Sequence, residues 1–98
     1  MKMLATLEIA ADHPAFAGHF PDFPVVPGAM LLDEMLQAIE QARGIDLLGW
    51  HIAAAKFLSA VRPREALVLE HEATAAGSIR FTIRVDDRKV ASGTLHEL

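Results

Sequence analysis

An α+β fold, with an antiparallel sheet of about five strands wrapped around one central helix, is what this 98-residue sequence predicts. Three features carry the prediction. Residues 79–85 alternate apolar Ile79, Phe81, Ile83 and Val85 with polar Arg80, Thr82 and Arg84, the period-2 pattern of a strand with one wet face. One stretch, from about Gly28 to Arg43, has the 3.6-residue apolar period of an amphipathic helix. The remaining segments are short and mostly joined by turns, which favours an antiparallel sheet laid on a helix over alternating strands and helices.

The first strand is predicted over residues 3–10, with Ala5, Leu7 and Ile9 on one side and Leu4, Thr6 and Glu8 on the other. An arm follows. Pro14, Pro21, Pro24 and Pro27 fix φ and bias the residues before them toward extended backbone, so this segment is stiff and non-helical. Phe16, Phe20, Phe23, Val25 and Val26 make it too apolar for a solvated tether, and it is expected to pack on the body of the protein. The helix is announced by Pro27 and closed by Gly44, a residue suited to the left-handed backbone that ends helices.

On that helix Leu31, Leu32, Met35, Leu36, Ala38, Ile39 and Ala42 share a broad apolar face, with Glu34, Gln37, Glu40 and Gln41 opposite. Asp33 is expected on the shoulder between the two, where partial loss of water would suit a proton donor. Met30 falls on the polar side with Asp33 and Gln37, which predicts a cover there: substrate, the arm or a second subunit. A turn over residues 45–50 leads to a predicted strand at 51–61 that ends before Pro63, and its Ala53, Ala54 and Ala55 would let a bulky helix lie close. A third strand at 65–75 sets Leu67 and Leu69 against Val68 and Glu70, and Asp86-Asp87-Arg88 turns the 79–85 strand into a hairpin with residues 90–95. A single domain over residues 1–98 is expected, without internal repeat or linker.

Composition narrows the partners. A chain this short buries only about two thirds of its unfolded surface, so a second chain is an economical way to enlarge the core. The formal charge of −4 gives no support to a nucleic-acid surface. With no cysteine there is no disulfide, thiolate nucleophile or cysteine metal site, and no span approaches the length of a membrane helix, so a cytoplasmic protein without membrane association is expected. His51, His71 and His96 are scattered, and no HxxxH, HxH or acidic cluster suggests a metal. GxSxG and glycine-rich phosphate motifs are missing.

Chemistry concentrates between His13 and Gln37. Taken alone, His19 is a hydrogen-bonded structural histidine or a base, Gly28 a turn glycine or a backbone donor at a helix start, and Gln37 a solvated residue or an orienter of Asp33 one turn away. Gly18-His19-Phe20-Pro21, then Pro24, Pro27-Gly28, Asp33 fourteen residues after the histidine and Gln37 eighteen after it resemble the signature of the 3-hydroxyacyl-[acyl-carrier-protein] dehydratases, a hot-dog fold family. Weaker similarity runs through Lys56-Phe57 and Val61-Arg62-Pro63. Asp22 stands where the family usually has glycine, and aspartate at 33 is the choice of its dehydratase-isomerase branch.

The resemblance implies a hot-dog fold and a cofactor-free, metal-free lyase acting in fatty acid or related lipid or polyene biosynthesis. His19 would take the α-proton of a 3-hydroxyacyl thioester and Asp33 would protonate the departing hydroxyl. The Gly28 N–H would polarise the thioester carbonyl, with Phe20, Pro27, Met30 and Gln37 supporting the site or lining it. The thioester would be carried on acyl carrier protein or coenzyme A. A homodimer with sites at the subunit interface is implied, a higher oligomer or heterodimer being the alternative. Among Arg62, Arg64, Arg80, Arg84, Arg88 and Lys89, some could form the positive patch an acidic carrier would need. Two rival readings stand beside this one: a hot-dog thioesterase in which Asp33 activates water, and a non-catalytic acyl-binding or partner subunit.

Overall fold

The computed structural model describes residues 2–7, 26, 28–62 and 65–97. Residues 8–10 of the predicted first strand, the arm up to Val25, Pro27, and Pro63 and Arg64 lie outside these. Six elements run in the order β1 (Lys2–Leu7), α1 (Gly28–Arg43), β2 (Trp50–Phe57), β3 (Leu67–Ala73), β4 (Ser78–Val85) and β5 (Arg88–Glu97). The strands form one five-stranded sheet in the order β1-β3-β4-β5-β2, with every neighbouring pair antiparallel. One helix against such a sheet is the hot-dog arrangement.

Alternation fixes which side of each strand meets the helix. Leu67, Leu69 and His71 of β3 face inward, as do Ile79, Phe81, Ile83 and Val85 of β4, while Glu70, Glu72, Arg80, Thr82 and Arg84 fall on the other face. The inward set joins Val90, Ala91 and Leu95 of β5 and Met30, Leu31, Met35 and Ile39 of α1 in one core. The β4–β5 hairpin turns through Asp86 and Asp87, with Asp86 at φ 53°, a left-handed conformation that aspartate tolerates better than most residues. Gly93 of β5 is required by close approach: a Cβ there would strike the Ala54 carbonyl oxygen of β2 and come within 2.7 Å of the Phe81 ring.

The helix spans the predicted range. Its end is set by Gly44 at φ 64°, whose N–H donates to the Glu40 carbonyl at 2.9 Å, while the Glu40 carboxylate accepts the Leu47 N–H at 2.8 Å and holds the following turn. Its burial differs from the helical-wheel expectation in two places. Met30 keeps its place on the side of Asp33 and Gln37 but is already buried within the single chain, joining Val26 in the core, so its predicted cover needs neither substrate nor a second subunit. Asp33 is exposed, not shouldered against the core, because the buried line through Leu31, Met35 and Ile39 runs nearly opposite to it.

The third difference concerns β2. Its alanines do not seat the helix, and every residue from His51 to Phe57 is exposed, because the strand order puts β2 at an edge, paired only with β5 among the described residues. It also stops earlier than predicted. The N–H groups of Leu58 and Ser59 both turn to the Val90 carbonyl, at 2.8 and 3.3 Å, and end the ladder at Phe57.

Candidate active site

The start of α1 is anchored to the loop after β2. The Val26 N–H donates to the Val61 carbonyl at 2.7 Å, so the chain reaches Gly28 in fixed register with residues 58–61. Between them lies a groove of about 440 Å³, lined chiefly by Val26, Gly28, Leu31, Phe57, Leu58 and Val61. Among the described residues its side chains are apolar apart from Ser59, which suits a hydrocarbon better than an ion. Gly28 is the first residue of the helix, where backbone N–H groups have no intrahelical acceptor and the dipole favours negative charge.

Asp33 lies one and a half turns further on, on the exposed face. Gln37, one turn beyond, donates from Nε2 to its Oδ2 at 3.1 Å, so the amide fixes the carboxylate orientation. Asp33 does not line the groove. Of the residues singled out from the sequence, Gly28, Met30, Asp33 and Gln37 are therefore carried by α1, with Gly28 at the groove and Asp33 and Gln37 on the outer face. His19, Phe20 and Pro27 lie outside the described residues.

Two basic residues considered for a carrier-binding patch are neutralised. Arg84 Nε meets Glu70 at 3.2 Å, with Lys2 Nζ 3.6 Å from the same carboxylate. Arg88 meets Glu65 at 2.7 Å and also donates to Ser59 Oγ and the Ala60 carbonyl, bracing the loop beside the groove against the β4–β5 turn. No group of three or more His, Asp or Glu able to hold a metal occurs among the described residues. Among the described residues no helix is long and apolar enough to cross a membrane.

A buried histidine and its half-buried arginine partner escaped the reading of the sequence. His71 is 1% exposed and accepts a hydrogen bond at Nδ1 from Arg43 Nε at 2.9 Å; Arg43 also reaches the His71 carbonyl at 3.4 Å. Acceptance at Nδ1 puts the proton of the neutral ring on Nε2, which is buried without a partner among the described residues. Burial first, and the Arg43 charge second, hold the pKa of His71 below that of a free imidazole. The signal was present: His71 is in phase with Leu67 and Leu69 on β3, hence on the core face. It is remote from the groove and pins the end of α1 to β3.

The chain belongs to the ApeI-like dehydratase family, whose family model, described as ApeI dehydratase, matches residues 1–94. It is 33% identical over 78 residues to a 3-hydroxyacyl-[acyl-carrier-protein] dehydratase FabZ of Ruminiclostridium cellulolyticum, covering 72% of this chain and 55% of that protein. This chain thus spans little more than half of that relative's length. To the FabZ protein of Thermotoga petrophila it is 31% identical over 104 residues, covering 96% of this chain and 74% of the relative. Among solved structures, the dehydratase heterocomplex ApeI:P from Xenorhabdus doucetiae has the same fold, with a TM-score of 0.76 at 22% identity over 97% of this chain and 85% of that one.

Proposed function

We propose that this protein dehydrates a 3-hydroxyacyl thioester, carried on acyl carrier protein, to the trans-2-enoyl thioester and water, in fatty acid or related lipid biosynthesis in the cytoplasm. The observation that carries this reading is the carboxylate of Asp33, held by Gln37 on the outer face of α1, in a chain of a dehydratase family that also retains His19. His19 takes the α-proton, and the C–H electron pair moves toward the thioester carbonyl. The Gly28 N–H stabilises the enolate-like oxygen through the helix start. Collapse of the enolate forms the C2–C3 double bond and expels the hydroxyl, which leaves as water with a proton from Asp33. Transfer of a proton from imidazolium to carboxylate, directly or through water, restores both groups.

A proton donor works best in a site closed to bulk water, and Asp33 is exposed in the single chain. The exposed edge strand β2, with Ile52 in solvent, is a template for pairing with another chain. We therefore assign a homodimer in which His19 of one chain meets Asp33 of the other across the interface. The Xenorhabdus neighbour is a heterocomplex, so a different subunit is the alternative occupant.

The direct test supplies the purified protein with 3-hydroxyacyl thioesters of several lengths, on carrier protein and on coenzyme A, and follows enoyl absorbance. Turnover on a carrier-linked chain is expected. No turnover on any of them contradicts the dehydratase reading, and release of free acid instead identifies a thioesterase.

A further inference from the structure

The groove beside Gly28 has one wall that the proposed chemistry leaves unused. Phe57, the last residue of β2, lays its ring against the first residue of α1: a Cβ built on Gly28 would meet ring Cζ at 2.8 Å and Cε1 at 3.0 Å. Gly28 does not have a positive φ, so its backbone conformation does not call for glycine. What calls for it is the ring. Phe57 is nevertheless 51% exposed, unlike the buried Leu31 and Val61 of the same groove. The backbone around it is tied down, through Val26 to Val61 and through Leu58 to Val90. In the single chain the ring, like Leu58 beside it, thus has solvent to swing into while the buried Leu31 and Val61 stay fixed, and of these two exposed side chains it is Phe57 that lies against Gly28.

From this we infer that Phe57 is the specificity-determining residue of the groove, its ring limiting the bulk of the acyl group that can lie beside the Gly28 N–H. The inference rests on the acyl-thioester reading of the site. A straight chain can pass along the ring face, whereas a branch or aryl group close to the carbonyl has to displace it. Removal of the ring leaves the carbonyl donor in place and widens the groove only at this point. The effect therefore falls on the ratio between bulky and slim acyl groups, not on binding as a whole. Misfit of a methylene or two in an apolar pocket changes discrimination by about 10- to 200-fold.

The test measures binding calorimetrically, with unreactive S-alkyl pantetheine thioethers carrying either a straight chain or a phenyl-substituted chain, to wild type, Phe57→Leu and Phe57→Ala. The expected result is a shift of about tenfold or more in the affinity ratio toward the phenyl ligand in Phe57→Ala, with Phe57→Leu between. An unchanged ratio, or no binding of either ligand by wild type, overturns the inference. Thermal melting adds a readout independent of ligand: Gly28→Ala should lower Tm in the wild-type background and lower it less in Phe57→Ala, since the ring it strikes is gone. Equal losses in both backgrounds contradict the contact. A shifted ratio without any enoyl product from hydroxyacyl substrates leaves the inference standing and overturns the dehydration chemistry alone.

Discussion

Asp33 carries the proposed acid chemistry with help from a single neighbour, and substitutions separate the two roles. Asp33→Asn keeps shape and hydrogen bonding but cannot transfer a proton, so kcat should fall by about 10²-fold or more, while Asp33→Glu retains part of it. Gln37→Ala removes only the orienting bond at 3.1 Å and should cost less than Asp33→Asn in the same assay. Equal rates for Asn and Asp would take the carboxyl out of the mechanism. At the other end of α1, His71 makes stability depend on pH. Its native pKa is depressed, so the unfolded chain binds a proton near pH 6.5 that the native chain refuses. The contribution is complete above that pH and is lost as pH falls toward the native value, at up to about 1.4 kcal/mol per pH unit. His71→Asn supplies an oxygen acceptor for Arg43 without titrating, so urea unfolding of this variant should have a flatter pH profile than wild type as pH falls below 6.5. Parallel profiles would show that His71 is not the group responsible.

In the proposed homodimer the edge strand β2 is the element on which assembly turns. A lysine on an edge strand blocks pairing by placing a charge that must stay in water, so Ile52→Lys should weaken self-association by about tenfold or more, seen by light scattering across a dilution series. Its melting temperature at monomeric concentrations should change little, because Ile52 is already 36% exposed. A dimer as tight as wild type would place the interface elsewhere. Elements with a local signature were legible in the sequence: Pro27 and Gly44 bracketed α1, and the alternation of β4 gave its core face residue by residue. The edge position of β2 was not legible, because it follows from the order β1-β3-β4-β5-β2 and not from anything in WHIAAAKF, where small residues suit a helix seat and an open edge equally well. Asp33 was misplaced for a related reason. Leu32 and Leu36 widen the apolar arc of the helix but are only partly buried, so the wheel alone could not fix the line along which α1 meets the sheet. The candidates for the chemistry, His19, Gly28, Asp33 and Gln37, were named by their spacing in the sequence, whereas Phe57 had no such signal, since its contact with Gly28 joins residues 29 positions apart.

At the scale of the whole molecule, one chain presents an apolar groove at one side of the helix start and an oriented carboxylate on another, and it leaves a strand edge open. In the proposed homodimer those three features belong to one site. Mixing two inactive variants tests this directly. His19→Ala and Asp33→Asn, each dead alone, are allowed to exchange subunits, with exchange verified by native mass spectrometry. If each site draws its histidine from one chain and its acid from the other, every mixed dimer holds one doubly mutated site and one wild-type site. Random exchange makes half the dimers mixed, so dehydration of a 3-hydroxyacyl carrier substrate should return to roughly a quarter of the wild-type rate. Mixed dimers that form and remain inactive would contradict the account, since His19 and Asp33 would then not meet across an interface.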